Sequence, residues 1–147
     1  MTETLETIGL ADPLKGLFAL GCELLRRNNV RESSVGFTDD ELHNGLHALQ
    51  QNPKYEKVLD GLDFRNFGNG KYGSQSLADM LFIGHVLGAY TKTGHFGKLT
   101  SIEQQTCIGR LTKLETKYGS DVMKELTEMT LDFLKIIGKD DLVTRVS

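Results

Sequence analysis

The longest apolar stretch of the chain, Leu77–Tyr90, is broken only by Asp79 and His85. A helix over Ser76–Tyr90 built from it has no wholly polar face, so it must be buried nearly all the way round. The stretch is too short to cross a bilayer. Gly84 and Gly88 stand one helical turn apart within it. Glycine weakens a helix, so that pair predicts a close approach by a neighbouring helix. His85 is the polar group in that run that then needs a partner.

Helix signals surround this segment. Asp12-Pro13 places an N-cap residue before a proline at the first helical position, with Leu14, Leu17, Gly21 and Leu24 on one stripe to about Asn28. Thr38-Asp39-Asp40-Glu41 is a capping box, followed by Leu42, Leu46 and Leu49, which predicts a helix over Asp39–Gln51. Asn52-Pro53 can start a short helix carrying Tyr55, Val58 and Leu59. Thr100-Ser101-Ile102-Glu103 has the form of another capping box, ahead of Cys107, Leu111, Leu114 and Tyr118. Gly119-Ser120 separates that helix from a last one bearing Val122, Leu126, Met129, Phe133 and Ile136/Ile137, which predicts an antiparallel hairpin of helices. Two glycine-bearing loops, 60–74 and Thr91–Leu99, flank the apolar segment. The tetrapeptide Lys-Tyr-Gly-Ser occurs at 71–74 and again at 117–120; its flanks do not match, so boundary chemistry explains it better than duplication.

The expected fold is therefore all-α: one domain over 1–147, a bundle of five or six helices with a buried central helix and a C-terminal antiparallel helical hairpin. Residues 1–11 and 139–147 are expected to be flexible ends. A length of 147 residues suffices for one core without staples. The net charge of −3 argues against capture of nucleic acid or anionic membrane, which needs a dense basic surface; Arg110, Lys113 and Lys117 read as a solvated stripe. Met1–Asp12 holds acids and no Lys or Arg, so no secretory leader is expected. Cys22 and Cys107 lack metal or redox spacing and read as reduced thiols of a cytoplasmic protein, with a Cys22–Cys107 bridge as the alternative.

Enzymatic and cofactor chemistries find little footing. His43 and His47 lie four apart on one helix face, the geometry of a metal pair, but Asn44 stands where a metalloprotease helix carries glutamate. His43, His47 and His85 are thus weak metal candidates, and no cofactor is expected. Gly68-Asn69-Gly70-Lys71-Tyr72-Gly73 fits G-x-G-x-x-G without a βαβ context, leaving at most an anion near Lys71 and a helix start. What remains is recognition. Phe64, Arg65, Phe67, Lys71 and Tyr72 crowd the 60–74 loop, and aromatics with arginine dominate binding hot spots. The competing expectation is that Phe64 and Phe67 fold back as a lid on the core. His95 and Phe96 form a smaller loop of similar character. The expected function is a non-enzymatic protein-binding module of adaptor, inhibitor or immunity-protein type, with another protein as partner and self-association left open. The alternatives are a helical ligand or metal sensor using His43/His47/His85, or an enzyme with an unrecognised site.

Overall fold

The structure, a computed structural model, describes residues 4–31, 34–83, 90–94 and 97–143. Its elements run α1 (Ala11–Arg27), α2 (Asp39–Gln50), β1 (Phe64–Gly68), β2 (Lys71–Ser74), α3 (Gln75–Ile83), β3 (Tyr90–Gly94), β4 (Gly97–Ser101), α4 (Gln104–Tyr118) and α5 (Ser120–Ile136). The fold is mixed rather than all-α. Both expected loops are antiparallel β-hairpins, β1–β2 and β3–β4. Phe37 adds a one-residue bridge on the far edge of β4, exchanging backbone hydrogen bonds with Thr100 at 2.8 and 2.7 Å.

Among the described residues the helix buried along most of its length is α1. Pro13, Leu14 and every residue from Gly16 to Leu25 are buried. Of the side chains described in α3, only Leu77 is fully buried, while Gln75 and Asp79 are exposed. Tyr90 belongs to a strand. Gly84, His85 and Gly88, with the close contact and polar role expected of them, lie outside the described residues, as do His95 and Phe96. Close approaches are seen instead on α1 and α2. A methyl group at Gly16 would sit 2.6 Å from a Leu126 side-chain carbon, one at Gly21 would sit 2.8 Å from Phe37, and one at Gly45 would meet Phe133 and Ile137 at 2.7 Å.

Contacts along α1 fix the helix directions. Near its start, Asp12 receives the Tyr118 hydroxyl from the end of α4. Near its end, Arg26 donates to the Ile102 carbonyl at 2.6 Å, just ahead of α4. α1 and α4 are therefore antiparallel. Gly16 meets Leu126, and Gly21 meets Phe37, which packs edge-on to Phe133 at 5.5 Å, so α5 runs parallel to α1. The expected antiparallel pairing of the last two helices follows, with Gly119 at φ 91° as the corner between them.

The Thr38 capping box forms as expected: Glu41 N–H donates to Thr38 Oγ1 at 3.1 Å, and Thr38 N–H to Glu41 Oε1 at 2.9 Å. Glu41 also pairs with Lys139 at 3.1 Å, and Lys139 donates to the Gly36 carbonyl at 2.8 Å. The box expected at Thr100 does not form. Thr100 and Ser101 are strand residues, and the Thr100 N–H and C=O are spent on Phe37. α1 begins before Asp12, whose carboxylate is used by Tyr118 and Lys117 instead of as a cap. Residues 51–61 form successive turns rather than a helix, with Gln50 Nε2 donating to the Leu59 and Leu62 carbonyls, both at 2.8 Å. At the two ends, Leu5–Thr7 and Asp140–Val143 are single 3₁₀ turns that place Leu5 and Val143 in the core.

Gly36 has φ +138°, and a methyl group there would lie 2.5 Å from the Thr100 carbonyl oxygen. Neither backbone can yield without breaking the Phe37–Thr100 bridge. Gly109, exposed on α4, meets nothing within 4 Å. G36A should destabilise the fold by about 2 kcal/mol or more, whereas G109A should stabilise it by up to about 1 kcal/mol. Urea denaturation of the two variants beside the parent checks both signs.

Candidate functional site

The 60–74 segment is a hairpin because of its turn. Gly68 pairs with Lys71 across Asn69 and Gly70, whose φ values are +54° and +73°. Two consecutive positive φ angles are what a type I′ turn demands, and Asn-Gly is the dipeptide that supplies them most readily. The register shifts between Asn66 and Gly68, so Phe67 is the extra residue of a β-bulge. A bulge re-aims its side chain. The G-x-G-x-x-G match is accounted for by this turn, and Lys71 is exposed at the start of β2, ahead of the helix start.

Helix α2 holds the hairpin through side chains one turn apart. Ser74 N–H donates to His43 Nδ1 at 3.0 Å, and Tyr72 N–H donates to Asn44 Oδ1 at 2.8 Å. The His47 ring stacks on Tyr72 with centroids 3.6 Å apart and planes at 9°, and meets Phe64 edge-on at 5.3 Å. Ser74 Oγ then accepts the Leu77 N–H at 3.3 Å, so the residue that closes β2 also caps α3. Because the Tyr72 and Ser74 N–H groups point away from β1, the Asn66–Tyr72 and Phe64–Ser74 pairs are the non-hydrogen-bonded ones of the ladder.

The two faces of the hairpin separate the expected residues. Phe64 and Tyr72 are half-buried against α2, so of the two phenylalanines Phe64 is the one that folds back. Phe67 is 71% exposed, with its ring over Gly73 on the outward face. Arg65 pairs with Gly73 and is exposed, as is Lys71. A cavity of about 490 Å³ adjoins this face, lined by Arg65, Phe67 and Gly73 together with His43 and Asp40 of α2 and Ala78 of α3. That is within the size range of ligand and hot-spot pockets. Asn44 and Gly73 escaped the sequence reading: the first is an anchor, the second the floor beneath Phe67. Asn69-Gly70 was the signal that could have revealed the hairpin.

This geometry assigns the two histidines to architecture. His43 must be neutral at Nδ1 to accept from Ser74, which places its proton on Nε2. Burial pushes its pKa below the ordinary 6.5, against the opposing pull of Asp39 and Asp40. Burial also lowers His47. Among the described residues no group of three or more His, Cys, Asp or Glu side chains is disposed to hold a metal ion. Cys22 and Cys107 are buried free thiols. Arg26 donates to Cys107 Sγ at 3.4 Å, and Cys22 is drawn down to a pKa of about 7, first by its hydrogen bond with Cys107. No helix among the described residues is long and apolar enough to cross a membrane.

A histidine whose folded pKa lies below its unfolded value contributes stability above the unfolded pKa and loses it as pH falls. Stability should therefore decline as pH drops below about 6.5, before the carboxylates protonate. His43→Asn keeps an acceptor on Cγ and removes the titration, so its decline over that window should be shallower. Urea midpoints across the pH series for both proteins check this; identical slopes would remove His43 from the account.

No protein-family model matches the chain, and neither does a curated protein or a solved structure.

Proposed function

We propose that the chain is a non-enzymatic binding module of adaptor or inhibitor type, which recognises another protein through the outward face of the β1–β2 hairpin. The observation that carries this is Phe67, a large aromatic 71% exposed at the bulge of a hairpin that α2 holds in place. An exposed phenylalanine on a mobile loop would lose affinity to ordering; one on an anchored hairpin is preorganised. Arg65 beside it adds forked donors, and the adjoining cavity gives a partner side chain somewhere to enter. Lys71 lies at the rim of this surface and Tyr72 supports it from behind. The net charge of −3 disfavours nucleic acid as the partner. The free thiols of Cys22 and Cys107 suit a reducing, cytoplasmic setting.

Both key side chains are exposed, so an R65A/F67A variant should retain parental stability to within about 0.5 kcal/mol. Immobilised parent protein should recover a defined partner from a lysate, and R65A/F67A should recover at least about tenfold less. Ile108→Ala, which trims another exposed apolar side chain on α4, should recover the parental amount. Equal recovery by all three proteins would sink the hairpin as the recognition surface.

A further inference from the structure

The edges of the β1–β2 hairpin differ. The outward N–H groups of β2 are taken by His43 and Asn44. On β1 the matching groups are the N–H and C=O of Phe64 and Asn66. These point away from β2 by the alternation of the ladder, and no hydrogen bond to them is found among the described residues. An unpaired strand edge is a template for another strand. Beside it opens a second cavity, of about 590 Å³, lined by His47 and Gln50 of α2, the turns carrying Glu56 and Asp60, and Asp63 just ahead of Phe64 at the start of β1. α2 reaches β2 through His43 and Asn44 and meets Phe64 of β1 through His47. Its last turn floors this cavity at the root of the hairpin. Glu56, Asp60 and Asp63 are exposed, and among the described residues they make no ion pair and no Lys or Arg lines the space.

We propose that the open edge of β1 takes an extended, Lys/Arg-rich segment of the partner as a third strand, with its basic side chains entering the carboxylate-lined cavity. This rests on the recognition role given to the hairpin and names the chemistry of what it binds. Strand addition supplies main-chain hydrogen bonds at Phe64 and Asn66, while the side-chain pocket supplies selectivity. The bulge at Phe67 ends regular pairing, so the carboxylates must provide much of the affinity, and that part is screened by salt. A second copy of this chain would offer that edge one basic residue, Arg65, with Asp60 and Asp63 close behind it, and so matches the carboxylate-lined cavity less well than a basic segment.

The test uses the full chain and a fluorescent peptide alternating arginine and threonine, followed by anisotropy at low and raised salt. The peptide should bind, and a glutamate–threonine counterpart should not. D60N/D63N should weaken binding at least about tenfold, and so should methylation of every second peptide amide, which keeps charge and blocks pairing. Hydrogen exchange should show new protection at the Phe64 and Asn66 amides. Equal binding by the methylated peptide, indifference to D60N/D63N, or no binding at all would overturn the proposal. So would sedimentation showing that the free protein self-associates through those amides. Ile108→Ala, on α4, should leave peptide binding unchanged. Loss of lysate capture by R65A/F67A alongside failure of the peptide arms would remove the strand addition and leave the hairpin reading standing.

Discussion

Phe37 fixes four parts of the molecule at once. Its ring fills the space opposite Gly21 of α1, where even a methyl group would sit 2.8 Å away, and packs edge-on against Phe133 of α5. Its backbone exchanges two hydrogen bonds with Thr100 of β4, and the next residue, Thr38, caps α2. Lys139 closes the arrangement, lying 5.3 Å over the ring while it bonds the Gly36 carbonyl and pairs with Glu41. The ring can be buried only if α1 carries glycine where they cross, and the backbone can bridge only if residue 36 tolerates a positive φ. Those two glycines make the start of α2 a fixed point relative to the core.

From that point α2 serves as a platform. Leu42, Leu46 and Leu49 bury one face in the core. On another side His43, Asn44 and His47 carry the β1–β2 hairpin. A two-stranded hairpin is marginal by itself in water, so these contacts decide whether it keeps one register. They are also lopsided. β2 is bonded to the helix and β1 is not, which gives the hairpin a covered edge, an open edge and one exposed face bearing Arg65 and Phe67.

The helices were legible where local chemistry governs: Thr38–Glu41 caps as read, and Gly119 turns the corner between α4 and α5. The strands were not. Phe-Arg-Asn-Phe-Gly is short and largely exposed, and Lys-Tyr-Gly-Ser is shorter still with a polar residue as its buried one, so neither shows the apolar–polar alternation that marks a strand on a core. Asn69-Gly70 marks the turn, but the overlapping G-x-G-x-x-G pattern equally fits an anion-binding loop ahead of a helix. Thr100–Glu103 has the composition of a capping box and fails as one because Phe37, far away in sequence, claims the Thr100 backbone. The central helix was misplaced for a related reason. Mean apolarity favoured the segment after residue 75, whereas α1 hides Glu23 in its buried set through an ion pair with Arg27 at 3.3 Å. Within the site, Phe64, Arg65, Phe67 and Tyr72 were visible as a cluster. Which of them face out depends on the bulge, and a bulge leaves no mark in the residue types.

The histidine pair shows how one pattern serves one use at the expense of another. Residues four apart on a helix can clasp a metal, and equally they can present two rings to a strand laid across that face. Here the Nδ1 of His43 accepts the Ser74 N–H, and the His47 ring lies flat on Tyr72. Coordination through Nδ1 of His43 would require releasing Ser74, whose hydroxyl also caps α3. Coordination through His47 would require a ring orientation compatible with both the metal and the 3.6 Å stack. Metal loading and hairpin anchoring would thus draw on the same groups, and the anchoring contacts are the ones made. The two histidine rings are consumed in holding the hairpin, and what they hold out to solvent is an aromatic ring, a guanidinium and an open strand edge. Those are the groups on which the proposed recognition rests.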